Sequence, residues 1–173
     1  IVLDAYRCGV PIFCPAMNDS SLGFSLMFAN RKHKRRILFD ALKDVDETAR
    51  ITEKARKTGV IYLGGGVPKN FIQQTAVVAG YELNRDKSHD YAIQITMDMP
   101  VWGGLSGCTF EEAQSWGKIG KNASMATCYV EITVALPLIV HALSQRFTTL
   151  TRNPPSYLWK NNDLEVTYKR ETT

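Results

Sequence analysis

The chain has 173 residues, of which 45% are hydrophobic and 22% charged, and this composition fits one globular domain with a buried core. Its longest apolar run, at residues 134–140, contains a proline and is far too short to cross a bilayer, so we expect no membrane segment. The four cysteines show no C-x-x-C spacing and no grouping with the three histidines, which predicts reduced thiols, a cytoplasmic location and no metal site.

The first part of the chain is predicted to alternate between helices and strands. In order, we expect the end of a helix at 1–8, a short strand at 10–13 and a polar loop at 15–23. From Arg36 to Lys57 apolar residues recur at helical spacing with charges between them, which predicts a helix that Gly59 ends. Residues 60–63 are continuously apolar, as expected of a strand buried on both sides.

The alternation continues to the end of the chain. We expect a glycine turn at 64–66, a helix at 68–78, a strand at 91–97, a glycine-rich loop at 102–108, a short helix from Thr109, a strand at 127–131, a helix at 133–146 and an edge strand at 164–168. Short connections between strands and helices predict an α/β fold, a parallel sheet with right-handed crossovers and helices on both faces. We assign residues 1–150 to this domain and 151–173 to an irregular tail.

The formal net charge is +4, and residues 31–36 form a dense basic cluster. Such a cluster could contact phosphates, a membrane face or an acidic protein, and the other interpretation is a solvated loop leading into a helix. No aromatic residue is interleaved with it and no nucleic-acid motif accompanies it. We therefore expect neither a nucleic acid nor a membrane as partner.

The segment around Lys118 carries the clearest chemical signal. Thr109 and Glu112 have the spacing of a capping box at a helix start, and Gly117 suits the left-handed conformation that ends a helix. Glu112 and Trp116 share one helix face, so Lys118 leaves the helix beside a carboxylate and an indole. A lysine kept away from water can attack a carbon–nitrogen double bond, whereas the alternative is an ordinary solvated surface lysine.

A second signal is the triple glycine at residues 64–66, between a predicted strand and a helix. Glycines there let the backbone approach a bulky anion, and the amides of the helix N-terminus face it. This is not the usual G-x-G-x-x-G pattern, so a tight packing turn is equally compatible with it. Polar groups are predicted to gather at the C-terminal ends of the strands, at Asp19–Ser21, Gly64–Gly66, Met97–Asp98 and Glu131.

Several segments together carry a family resemblance. They are Pro15-Ala16 with Asp19, Ser21-Leu22-Gly23, Leu63-Gly64-Gly65-Gly66-Val67 with Lys69, Glu112-Ala113 and Ser115-Trp116-Gly117-Lys118-Ile119. With a looser match at 129–137, they make the chain resemble the deoxyhypusine synthase family up to about Leu143. The match corresponds to roughly the C-terminal half of the usual family chain. Since the sequence also starts at Ile1 and not Met, we expect the N-terminal half on the same or a separate chain.

The resemblance implies a Rossmann-like, NAD-binding transferase whose active sites lie at the subunit interfaces of a homotetramer. It implies that spermidine is oxidised to an imine, that Lys118 takes up the butylamine group, and that an acceptor amine receives it, a protein lysine of the hypusine-bearing translation factor. Lys118 must then be neutral, so burial beside Trp116 is expected to oppose the helix C-terminus, which favours the charged form.

The resemblance also implies a set of site residues. They are Lys118 and Glu112 for catalysis, Trp116, Asn70, Gln74 and Leu105 for substrate, and Asp19, Ser21, Gly64, Gly65, Gly66, Met97, Asp98 and Glu131 for NAD. Glu131 replaces the usual aspartate of the family and can still hold a ribose hydroxyl.

Some positions depart from the family pattern at the substrate. Phe24, Trp102 and Leu105 stand where the protein-modifying enzymes carry acidic residues, and Asn70 replaces a histidine. Each lost carboxylate removes about 1–3 kcal/mol of charge-assisted bonding to a polyamine. Two alternatives therefore remain open. One is an enzyme that uses a free amine acceptor or a guanidino-amine, like a homospermidine synthase, and the other is a regulatory subunit of such an enzyme.

Overall fold

A computed structural model describes residues 1–147 and 154–168 of the chain. Its helices and strands are α1 (Val2–Arg7), α2 (Ser21–His33), α3 (Ala41–Lys54), β1 (Gly59–Leu63), α4 (Val67–Leu83), β2 (His89–Ile95), α5 (Gly104–Gly107), α6 (Phe110–Ser115), β3 (Ile119–Cys128), α7 (Ile132–Ser144), β4 (Ser156–Lys160) and β5 (Asp163–Thr167), with short 3-10 turns at Met17–Asp19 and Pro100–Trp102. The predicted α/β class, a parallel sheet flanked by helices, is confirmed.

The sheet has the order β1-β2-β3 in the described residues, and both strand pairs are parallel. Leu63 lies opposite Ile95, which lies opposite Cys128. The three strands therefore end side by side, and the segments that follow them share one edge of the sheet.

One face of the sheet carries the core. Val60, Tyr62, Ala92 and Ile119 pack there with Phe110 and Ala113 of α6. On the other face Ile61, Tyr91 and Ile93 are 67%, 49% and 43% exposed. The expectation that residues 60–63 are buried on both sides is therefore wrong for the described residues, in which only alternate side chains of β1 are covered.

The N-terminal region differs from the prediction. Residues 10–13 have no strand partner within the described part of the chain, so the expected strand does not form. The expected loop at 15–23 instead contains the start of α2, because the Ser20 hydroxyl accepts a hydrogen bond from the Gly23 amide at 3.1 Å and caps the helix. The basic cluster at 31–36 begins in the last turn of α2, and its residues are exposed.

Two further elements have boundaries that differ from the predicted ones. Gly59 starts β1 and does not end the preceding helix, which stops at Lys54. The strand expected at 127–131 is wrong in its bounds, because β3 runs from Ile119 to Cys128 and residues 129–131 form the connection to α7. The small and polar residues of β3 lie on an exposed sheet edge, so the apolar pattern that identifies a buried strand is missing.

The tail is not irregular where the structure describes it. β4 and β5 pair as an antiparallel hairpin, and Leu164 and Val166 of β5 are buried beside α3. The Trp159 indole donates a hydrogen bond to the buried Glu47 carboxylate of α3 at 3.0 Å. The remainder of the predicted tail, at 151–153 and 169–173, lies outside the described residues, and the boundary at residue 150 stays a prediction.

His89 joins three parts of the fold and is 2% exposed. Its Nε2 lies 3.2 Å from the Ile72 carbonyl, which can only accept a hydrogen bond, so Nδ1 accepts from the Thr58 hydroxyl at 2.8 Å. This is a satisfied neutral imidazole. Burial lowers the pKa of His89 from its usual 6.5.

We expect His89 to make the fold sensitive to acid. Below pH 6.5 the unfolded chain takes up a proton that the folded chain does not, so stability is lost as pH falls, by up to about 1.4 kcal/mol per pH unit. Urea unfolding between pH 7.5 and 5.5 measures this slope. His89→Gln should flatten it, whereas replacing the exposed His141 by Gln should not. Equal slopes in both variants would contradict the assignment.

Candidate active site

The C-terminal edge of the sheet collects most of the predicted cofactor residues. Gly64–Gly66 follow β1, Met97 and Asp98 follow β2, and Glu131 follows β3. Asp19 and Ser21 lie at the start of α2, and no hydrogen bond or ion pair joins them to this edge within residues 1–147 and 154–168. The structure thus brings six of the eight predicted NAD residues to one edge and leaves the other two on a separate element.

The triple-glycine turn has two physical reasons for its composition. Gly64 and Gly66 have φ of 84° and 77°, a left-handed region that favours glycine. Gly65 packs directly on the glycine-rich loop, since a Cβ added there would lie 2.6 Å from Ser106 Cβ. The packing interpretation therefore holds for Gly65, and its contact with NAD stays a prediction.

A buried polar network that the sequence did not predict lies beside this turn. Lys69 is 3% exposed, and its Nζ donates to the Cys108 carbonyl at 2.6 Å, to Gln94 Oε1 at 3.1 Å and to the Ser106 carbonyl at 3.4 Å. The Gln94 amide in turn donates to the carbonyls of Gly64 and Ser106, both at 3.0 Å. The one available signal was Gln94 itself, a polar residue within an apolar strand.

Lys118 leaves the end of α6 and points to α4. Its Nζ donates to Asn70 Oδ1 at 2.9 Å and lies 5.7 Å from the centroid of the Trp116 ring. The Thr109 half of the predicted capping box is present, since the Thr109 hydroxyl accepts from the Glu112 amide at 3.2 Å, and Gly117 has the expected left-handed φ of 68°. Lys118 is half-buried, whereas Trp116 is 66% exposed and leaves one side of the amine open.

The other predicted catalytic and substrate residues, Glu112, Gln74 and Leu105, are exposed on three different helices. Glu112 is exposed on α6, and its charge adds to burial in raising the pKa of the Cys108 thiol. Gln74 is exposed on α4, one turn beyond Asn70 and on the same helix face. Leu105 lies in α5 and is partly exposed. These positions are compatible with substrate contact, and their roles stay predictions.

Comparison with known proteins decides the family. The sequence model of deoxyhypusine synthase matches residues 1–143. The chain belongs to the deoxyhypusine synthase family. It is 51% identical over 170 residues to probable deoxyhypusine synthase 2 of Methanosarcina acetivorans, covering 98% of this chain and 49% of that protein.

Other members of the deoxyhypusine synthase family are similar to the chain as well. It is 52% identical over 146 residues to probable deoxyhypusine synthase 2 of Archaeoglobus fulgidus, covering 83% of this chain and 47% of the relative. It is 44% identical over 143 residues to a deoxyhypusine synthase-like protein of Chlorobaculum tepidum, covering 80% and 40%. The chain thus spans about half the length, or less, of these relatives.

The residues at the sheet edge fit NAD, the cofactor that membership of the deoxyhypusine synthase family implies. The exposed Asp98 and Glu131 carboxylates are acceptors suited to ribose hydroxyls, and the first amides of the 17-residue helix α4 face the turn, as pyrophosphate binding requires. Glu131 also caps α7, because its carboxylate accepts from the Thr133 hydroxyl and from the Thr133 amide at 2.8 Å. Those hydrogen bonds lower the pKa of Glu131 and keep it ionised.

Other site types receive no support from the described residues. Across 1–147 and 154–168, no three His, Cys, Asp or Glu side chains are grouped to hold a metal ion. All four cysteines are free thiols. Among the helices of the same ranges, none has the length and apolar character needed to cross a membrane.

Proposed function

We propose that the whole protein is an NAD-dependent aminobutyl transferase of the deoxyhypusine synthase type, acting in the cytoplasm as a homotetramer. Its donor is spermidine, and its acceptor is a lysine of the hypusine-bearing translation factor. The observation that carries the proposal is the half-buried Lys118 amine, held by Asn70 beside the Trp116 ring within the Ser115–Ile119 segment of a deoxyhypusine synthase family member.

The proposed reaction transfers the butylamine group through Lys118. NAD held at the sheet edge by Gly64–Gly66, Asp98 and Glu131 would supply hydride transfer, which oxidises the butyl carbon next to the secondary amine of spermidine and reduces the final imine. The neutral Lys118 amine attacks the carbon of the imine formed by that oxidation, diaminopropane leaves, and the butylamine group remains on Lys118 as an imine. The acceptor amine then displaces Lys118, which is recovered unchanged.

Glu112 and Trp116 have complementary roles in this scheme. Glu112 lies on α6, six residues before Lys118, and we propose that it binds a polyamine ammonium group and moves protons between the departing and attacking amines. The exposed Trp116 ring is proposed to bind a cationic substrate, and its position 5.7 Å from Lys118 Nζ supports a site beside the nucleophile.

Trapping the intermediate tests the proposal. The complete protein is incubated with NAD and spermidine, treated with borohydride, and digested for mass spectrometry. We expect a reduced aminobutyl adduct on Lys118. An adduct on another lysine, or none while diaminopropane is still released, would contradict the proposed mechanism.

A second candidate keeps this chemistry but transfers the group to a free amine, or starts from a guanidino-amine. Phe24, Trp102 and Leu105 favour it, because all three are substantially exposed apolar side chains where the protein-modifying enzymes carry acidic residues. The Phe24 and Trp102 rings can stack on a cation, Leu105 can pack against its apolar part, and none of the three can form an ion pair with it. Supplying putrescine, agmatine and a purified acceptor protein in competition, and identifying which becomes modified, distinguishes the two candidates.

Asn70 is predicted to orient the nucleophile in addition to contacting substrate. Asn70→Ala removes the only side-chain acceptor within hydrogen-bond distance of Lys118 Nζ in the described residues, and we expect kcat to fall about tenfold with a smaller change in KM. Steady-state kinetics with the exposed Asn122→Ala variant as control measures this. A rise in KM at constant kcat would show that Asn70 only binds substrate.

A further inference from the structure

We propose that Lys69 is a positioning residue, which holds the glycine-rich loop at residues 103–108 against the triple-glycine turn and thereby sets the place of α6 with Glu112 and Lys118. The inference rests on the proposed function, because it assigns Lys69 a part in presenting the nucleophile. Lys69 itself is not proposed to touch substrate.

The ammonium group of Lys69 is fully used by its surroundings. It has three N–H donors and three oxygen acceptors, the Cys108 and Ser106 carbonyls and the Gln94 side-chain oxygen. The Tyr62 ring lies 5.7 Å away on a further side. With 3% exposure and every donor engaged, Lys69 is not placed to act as a nucleophile, in contrast to the half-buried Lys118.

The acceptors of Lys69 come from separate parts of the chain. Gln94 belongs to β2, whereas Ser106 lies in α5, the four-residue helix inside the glycine-rich segment 103–108, and Cys108 follows that helix. Gln94 extends the link, since its amide donates to the Gly64 carbonyl at the end of β1 and to the Ser106 carbonyl. One buried cation therefore joins α4, the sheet and the loop.

The nature of this contact is what points to function. No carboxylate forms an ion pair with Lys69 among the described residues, so its direct hydrogen-bond partners are carbonyl and amide oxygens, and the Glu112 carboxylate acts on it only from a distance. Burying an ammonium group in this way is unfavourable, and the lowered pKa of Lys69, caused first by burial, reflects that cost. An apolar side chain would fill the same space with less penalty. Unlike an apolar side chain, the Lys69 ammonium group can donate hydrogen bonds to the Ser106 and Cys108 carbonyls at the same time.

Fixing those carbonyls determines where α6 begins. Cys108 directly precedes Thr109, the N-cap of α6, and α6 has only six residues before the chain reaches Trp116 and Lys118. A displacement of the Cys108 carbonyl would therefore shift α6, and with it the Lys118 amine, because only this short helix separates them. Misplacing a reacting group by about 1 Å is enough to lower the rate about 100-fold.

The test compares Lys69→Met with Lys87→Met in the complete protein. Lys87 is the matched control, because it is a half-buried lysine whose Nζ donates to the Ala55 carbonyl at 2.6 Å and not to residues 103–108. For Lys69→Met we expect hydrogen exchange in residues 103–109 to rise about tenfold or more while β1 and β2 stay protected. We expect kcat to fall about 100-fold with KM for NAD within a few fold, and Lys87→Met to change neither quantity.

The outcomes separate this inference from the proposed function. Unchanged loop exchange in Lys69→Met, or a loosened loop with unchanged kcat, would overturn the positioning role. A loosened loop together with full activity of a Lys118→Ala variant would instead reject the proposed nucleophile and leave the link between Lys69 and the loop standing. If Lys69→Met does not fold, Lys69→Gln, which retains side-chain donors without the charge, provides the same comparison.

Discussion

Lys118→Arg is expected to abolish turnover in the complete protein while leaving its fold intact. Arginine keeps the positive charge and can still donate to Asn70 Oδ1, so the local hydrogen bond survives. Its guanidinium group does not lose a proton in proteins and cannot attack an imine. Because the covalent step has no substitute, we expect the rate to fall by about 10³-fold or more. Steady-state release of diaminopropane in the presence of NAD measures it.

The matched control for this variant is Lys121→Arg. Lys121 is exposed on β3, three residues beyond Lys118, and has no part in the proposed site. Its activity should stay within twofold of the parent protein, as surface substitutions usually have small effects. A Lys118→Arg protein that binds NAD and retains most of its activity would reject the mechanism, whatever the behaviour of Lys121→Arg.

The local elements of the site could be predicted because their signals are local. The Thr109 cap, the glycine that ends α6 and the strand–glycine–helix order around residues 64–66 all depend on neighbours within a few positions. The sequence therefore placed Lys118 at the end of a short helix and the glycine turn after β1. The parallel sheet follows from the same local alternation of strands and helices.

What could not be predicted depends on partners distant in sequence. Lys69 meets Cys108 across 39 positions, and Lys118 meets Asn70 across 48. No periodicity reports such contacts, so Asn70 was predicted only as a substrate residue and Lys69 was given no role. For β1 the sequence predicted more burial than the described residues show. An apolar run indicates that a strand can be buried, but it does not show that both of its faces are covered in this part of the chain.

The largest expected structural effect of a small substitution is at Gly65. In Gly65→Ala the new Cβ would lie inside van der Waals contact with Ser106 Cα and 2.6 Å from Ser106 Cβ, and a backbone atom cannot move aside without moving the loop. We expect a loss of about 1–3 kcal/mol in the free energy of unfolding, typical of overpacking. We also expect a fall in kcat, because the displaced Ser106 is the residue that Lys69 and Gln94 both hold.

Gly66→Ala is the control that distinguishes a steric clash with Ser106 from backbone strain in the glycine turn. Gly66 has φ of 77° and ψ of −153° but nothing within 4 Å of an added Cβ, so alanine there costs about 1–3 kcal/mol through its backbone conformation alone. The two variants should lose similar stability in urea unfolding, yet only Gly65→Ala should raise hydrogen exchange in residues 103–108. That difference follows if the loop is held by direct packing on the turn. If hydrogen exchange in residues 103–108 of Gly65→Ala stays as low as in Gly66→Ala, the loop is not held by packing on the turn. The proposed link between the glycine turn and the nucleophile would then be rejected.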